Sequence, residues 1–194
     1  MINEKTQFVD SYQKILELVP KNSVIAEIGV LKGELSEQIK KICKPRRLYL
    51  VDYWQEQDDD RFLYTPYNDG YQQTHDENYY DVLKKFLNED NVKIIKSLSL
   101  FASKLFDKDY FDMIYIDGSK YYEDTLQDFE TWFPLLKHDG IICGCNYENH
   151  EDKPYIEVKE AVEYFCRKNN LYINYITYEK NSCFSITKPK IKFF

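Results

Sequence analysis

Several residues with reactive side chains stand where apolar runs of the sequence stop. In "FDMIYIDGSK" the run ends at Asp117, and Lys120 follows three residues later. In "GIICGCNY" a second run ends at Cys145-Asn146. Carboxylate, amide and thiol groups can ligate a metal ion, and a lysine beside a hydroxylated substrate can take up its proton. Further upstream, "EIGVLKGELS" leads Glu27 into a turn containing Gly29 and Gly33, through which a ligand can reach backbone N–H groups. The glycine spacing is not that of a dinucleotide fingerprint, and no Gly-Lys-Ser/Thr of a P-loop follows. Asp52 ends "LYLVD" 23 residues after Gly29, where a carboxylate can accept both hydroxyls of a ribose.

Positioning these groups requires strands that end on one side of the molecule. Short apolar runs at "SVIAEIGV", "RLYLVDYW", "NVKIIKS", "FDMIYID" and "GIICGCNY" alternate with helical patterns at "ELSEQIKKIC", near 79–88, at "SLFASKLF" and at "YYEDTLQDFETWFPLL". Such alternation predicts an α/β protein, a parallel sheet with helices on both faces. Helix "YIEVKEAVEYFCRKN" then leads to "LYINYITYE" and "NSCFSITK", expected to form an antiparallel hairpin at the sheet edge. Residues 6–19 place Phe8, Tyr12, Ile15, Leu16 and Val19 at helical spacing, so 1–22 is expected to hold an N-terminal helix. The polar segment 55–78 reads as an insertion or lid, with Tyr64, Tyr67 and Tyr71 available to cover an acceptor. No repeat or linker divides the chain, and 1–194 is expected to be a single domain.

The charge of −7 and a pI near 5.1 argue against nucleic acid as partner, since phosphate neutralisation needs a basic surface. No apolar run is long enough to span a membrane and no signal peptide is apparent, which points to a cytoplasmic protein. Five scattered cysteines suit reduced core thiols better than a disulfide framework. His75 reads as a solvated loop residue, His138 and His150 lack partners at ligand spacing, and Asp128 with Trp132 reads as helix anchoring and packing.

"VIAEIGVLKGELS", "LYLVDYW", "FDMIYIDGSKYYEDTLQDFETWFPLLKHDGIICGCNY" and "VKEAVEYF" together resemble the class I S-adenosylmethionine-dependent methyltransferases, most closely the macrocin-type sugar O-methyltransferase group. The resemblance spans about residues 10 to 187. It implies a Rossmann-like, seven-stranded, mostly parallel sheet, with S-adenosylmethionine bound over the first strands. By position, it assigns Glu27 and Gly29 to the methionine part of the donor, Asp52 to its ribose and Ser99 to its adenine, with Gly33, Ser36 and Asp117 also counted among the donor-binding residues. The family often has a serine where Leu35 stands; here only Ser36 is kept.

Asp117 matches the acid that holds a divalent cation in metal-dependent members and in catechol O-methyltransferase. The next metal positions fall on Cys145 and Asn146, where Asp-Asp or Asp-Asn is usual, so a metal set of Asp117 and Asn146 lacks one carboxylate and Mg²⁺ remains an open requirement. Lys120 matches the base lysine of catechol O-methyltransferase. The activity implied is O-methylation of a small acceptor, a sugar, sugar nucleotide or glycan, with a phenolic acceptor as the alternative. A noncatalytic S-adenosylmethionine-binding module of a glycan biosynthesis pathway is the reading from another class.

Overall fold

The structure, a computed structural model, describes residues 2–57, 72–148 and 156–190. In chain order the elements are β1 (Gln7–Val9), α1 (Tyr12–Glu17), β2 (Val24–Ile28), α2 (Glu34–Cys43), β3 (Arg47–Asp52), α3 (Gln72–Lys85), β4 (Val92–Lys96) and α4 (Ser99–Ala102). β5 (Phe111–Ile116), α5 (Tyr122–Trp132), β6 (Leu136–Gly144), α6 (Val158–Lys168), β7 (Tyr175–Thr177) and β8 (Phe184–Thr187) follow. One eight-stranded sheet runs in the order β1-β7-β8-β6-β5-β2-β3-β4. Pairing is parallel except around β8, which is antiparallel to both β6 and β7.

The expected α/β architecture and C-terminal hairpin are present, but the sheet has eight strands, not seven. The additional strand is β1, taken from the segment expected to be helical. Only Tyr12–Glu17 forms α1 there, burying Ile15 and Leu16. Phe8 lies 49% exposed on the strand and stacks on Tyr178 at 5.6 Å, so its helical spacing from Ile15 was coincidental. The hairpin is consequently not at the rim, because β1 pairs outside β7, Phe8 opposite Ile176. α3 begins at Gln72, within the segment read as an insertion; its residues 58–71, with Tyr64, Tyr67 and Tyr71, lie outside the described residues, as does His150.

The sheet is built around β2, whose residues "VIAEI" are all buried. β-Branched and apolar residues on both faces suit a central parallel strand covered by helices on either side. One apolar core packs α5 and α6 against the sheet through Phe129, Trp132, Val162 and Phe165. The opposite core joins Ile15 and Leu16 of α1, Ile39 of α2 and Val82 of α3. α2 shows the local logic: Glu34 and Glu37 in its first turn and Lys40 and Lys41 in its last complement the helix dipole, while Ser36, Ile39 and Cys43 share the buried face. From β2 the chain moves outward to β3 and β4, then returns to place β5 on the other side of β2. The strand order therefore reverses between β2 and β5, and the crevice beyond their carboxyl ends is where such sheets take ligands. Among the described residues no helix is long and apolar enough to cross a membrane.

Candidate active site

At that switch point lies a cavity of about 880 Å³, within the range of small-molecule sites. Its first wall is the turn after β2. Gly29 has φ +85°, and a Cβ there would run into the Asp117 carbonyl and the backbone of Gly118. Glycine is therefore required twice over: for its backbone conformation, and because the β2 and β5 ends nearly touch. Leu31, with φ 51°, has no such excuse, and its conformation is held by neighbours. The Trp54 indole donates to the Leu31 carbonyl at 2.9 Å, and Asp52 Oδ2 accepts from the Val30 and Leu31 amides at 2.7 and 2.8 Å. Asp52 thus ties the turn after β2 to the end of β3.

Glu27 sits beneath this turn with no exposed surface, on the cavity lining, and neither carboxyl oxygen has a hydrogen-bond partner. Burial pushes its carboxyl well above the ordinary range; the nearby Ser36 hydroxyl opposes the shift and the charges of Asp117 and Asp52 reinforce it. Buried polar atoms are rarely left unpaired in native proteins, so an orphaned carboxyl on a cavity wall marks a place for a cationic or hydrogen-bond-donating ligand. Ser36 is also fully buried, its hydroxyl without a hydrogen bond, and it stands behind Glu27 rather than on the lining. Gly33 is likewise off the lining; with φ +76° it caps the start of α2.

The opposite wall holds Ser99, whose hydroxyl donates to Asp128 Oδ1 at 2.5 Å and accepts from the Trp132 indole at 2.7 Å. Asp128 is 8% exposed and lines the cavity. Burial raises its carboxyl to about 6, against the Ser99 hydroxyl, with Asp124 adding to the rise and Lys120 opposing it. The expected anchoring is present, through Ser99, and Asp128 meets the cavity as well: α5 buries Thr125, Asp128, Phe129 and Trp132 on one face, and an acid on that face was the available signal. His75 also lines the cavity, carried by α3 rather than by a loop. Trp54, almost fully buried with φ 43°, had no sequence signal as a site residue.

Beyond β5, Asp117 and Lys120 do meet: the buried Lys120 ammonium forms an ion pair with Asp117 Oδ1. Asn146, with φ 62° and 6% exposure, follows β6 and lines the same end of the cavity. Cys145 does not complete a ligand set, because it is disulfide-bonded to Cys183. This also corrects the expectation of five reduced thiols; only Cys43, Cys143 and Cys166 are free. The cause lies in the hairpin. Gly144 pairs with Phe184 across the β6–β8 ladder, so the next residues outward, Cys145 and Cys183, face each other. A lysine ammonium on Asp117 and a bonded sulfur at position 145 do not fit a hard divalent cation. Among the described residues no group of three His, Cys, Asp or Glu side chains is disposed to hold a metal.

The glycine turn, the strand-end acid and the buried carboxyl thus surround one cavity of a doubly wound, Rossmann-like sheet. Residues 26–147, well over half of the chain, match a family model described as a methyltransferase domain, and the chain belongs to that family. No curated protein matches the sequence significantly. Among solved structures, a provisionally assigned caffeoyl-CoA O-methyltransferase from Staphylococcus aureus is similar, with TM-score 0.61 and 20% identity over 92% of this chain and 84% of that one. A provisionally assigned methyltransferase of Streptococcus mutans, solved with SAH, gives TM-score 0.60 at 16% identity over 91% and 94%. Fibrillarin of Aeropyrum pernix, solved with S-adenosyl-L-methionine, gives 0.59 at 14% identity over 87% and 67%. At these identities the likeness is one of fold.

Proposed function

We propose that the protein is an S-adenosylmethionine-dependent O-methyltransferase acting on a hydroxyl of a small acceptor, a sugar or sugar nucleotide before a phenol. The observation that carries this reading is the orphaned, buried Glu27 carboxyl beneath the Gly29 turn, in a chain of the methyltransferase-domain family. When bound, S-adenosylmethionine supplies an electrophilic sulfonium methyl group. Glu27 has free lone pairs to receive the donor's ammonium, whose positive charge would favour the ionised carboxylate that burial alone disfavours. Asp52 has Oδ2 committed to the turn and keeps Oδ1, which accepts only a 3.3 Å contact from the Trp54 amide, for a ribose hydroxyl. Ser99 and Asp128 form the wall assigned to the adenine end.

Lys120 and Asp117 act on the acceptor. Lys120 stands at the position from which a base takes the hydroxyl proton, and Asp117, in contact with it, holds the lysine in place. Aligning the hydroxyl while a base removes its proton is the chain's contribution, and no step passes through a metal. Gln55, Gln57 and His75 line the cavity, which supports the reading of segment 55–78 as the one that meets the acceptor.

The test is incubation with S-adenosylmethionine and a panel of sugar nucleotides, free sugars and catechols, with and without chelator, followed by mass spectrometry. Gain of one methyl group by a sugar-containing acceptor in chelator supports the proposal. Gain only by catechols moves the acceptor to the phenolic class. No gain on any acceptor, with donor binding intact, favours a noncatalytic binding module.

A further inference from the structure

Cys145 and Cys183 close the acceptor end of the cavity, and both line it. Cys145 is partly exposed there, whereas the three free cysteines are buried. The Tyr115 hydroxyl lies 2.9 Å from Cys145 Sγ and 3.5 Å from Cys183 Sγ, so one O–H donor serves both sulfurs. The bond is not what holds its loop. The Tyr147 amide donates to the Ser182 carbonyl at 2.9 Å, the Thr177 amide to the Cys183 carbonyl at 2.8 Å, and the Cys183 amide to Thr177 Oγ1 at 2.8 Å. Together with the β6–β8 ladder, these bonds keep residues 145 and 183 opposed whether or not the sulfurs are joined.

From these facts we infer that Cys145 and Cys183 are a reversible thiol–disulfide exchange site whose co-reactant is a low-molecular-weight disulfide such as oxidised glutathione. The inference rests on thiol chemistry and holds independently of the methyl-transfer reading. In the closing direction, the Cys145 thiolate, the more accessible of the two, attacks one sulfur of the small disulfide and expels one thiolate. The Cys183 thiolate then attacks Cys145 Sγ in the mixed disulfide and expels the second. Two protein thiols are oxidised, one small disulfide is reduced to two thiols, and the protons lost by the cysteines go to the thiolates released. Reduction runs the same steps backward, with the Tyr115 O–H donating to the departing thiolate. Disulfides in reducing compartments are usually redox-sensing or catalytic rather than structural, and a pair on a cavity wall matches that use. Opening it sets a free thiol beside Asn146 and Asp117, which changes the chemistry of the acceptor end.

The full chain is equilibrated across ratios of reduced to oxidised glutathione, quenched in acid, denatured and alkylated, and the labels are counted by mass. Of the five cysteines, three take label when the pair is closed and all five when it is open. The expected result is a single transition from five labels to three as the oxidised form increases, reversed by added reduced glutathione, with peptide mapping placing the bond at Cys145–Cys183. In Cys183→Ser, Cys145 accumulates as a mixed disulfide carrying one glutathionyl group. Five labels at every ratio, three labels that persist in excess dithiothreitol under native conditions, or a bond mapped to another pair would each overturn the proposal.

Discussion

Replacing Glu27 by glutamine keeps the shape of the side chain and removes its charge, and the outcome separates a binding carboxylate from a structural one. The parent carboxyl is fully buried without a hydrogen-bond partner, and burial raises it well above its ordinary range. A raised folded-state value means that its contribution to stability is fully present below the unfolded value, near 4.5, and is lost as pH rises through the folded one. The parent without ligand should therefore lose stability between mildly acidic and mildly basic pH, a slope that Glu27→Gln lacks. Relief of an unsatisfied buried group is worth about 1–3 kcal/mol. For a chain of this length that corresponds to roughly 2–4 °C in Tm per kcal/mol. Melts followed by circular dichroism at pH 5 and pH 8 should give a variant close to the parent at pH 5 and several degrees more stable at pH 8. In return, donor affinity should fall about ten- to hundredfold, the equivalent of one lost charge-assisted hydrogen bond. An equal Tm offset at both pH values, or a variant less stable at pH 8, would refute the reasoning.

The remaining predictions concern the other walls of the cavity. Asp128, raised to about 6, contributes stability at acid pH that is lost as pH rises from about 4 through 6. Asp128→Asn should remove that slope, amounting to about 2–3 kcal/mol, in melts compared at pH 4 and pH 8; an unchanged slope would show that the acid is not shifted. Asp52→Ala should weaken donor binding and also lower Tm, because it strips the acceptor from two backbone amides at about 1.5–3 kcal/mol per charged bond; unchanged calorimetric affinity would remove Asp52 from the donor site. Lys120→Met should leave donor affinity intact and depress turnover about 10²- to 10⁴-fold, and equal turnover at neutral pH would exclude Lys120 as the base.

Much of the fold was legible because its signals are local. α2 matches the helical stretch "ELSEQIKKIC" read from the sequence, and the ends of β2, β3 and β5 followed from apolar runs that stop at polar residues. β1 was not legible: three residues with an exposed Phe8 carry no periodicity, and the strand exists because β7 offers an open edge. Asp117, Lys120 and Asn146 were found by position, but the Cys145–Cys183 bond depends on hairpin register across 38 residues, which spacing alone does not reveal. Asp128 and Ser36 illustrate the same limit in opposite senses. Each is a polar residue on a buried helix face, and only tertiary packing decides that the first meets the cavity and the second lies behind its wall.

Titration calorimetry with S-adenosylhomocysteine, on the parent and on Glu27→Gln, tests the central claim most directly. The account predicts saturable binding at one site per chain by the parent, with affinity reduced about ten- to hundredfold in the variant. Absence of binding to the parent, or equal affinity in the two proteins, would contradict the assignment of this cavity to the methyl donor.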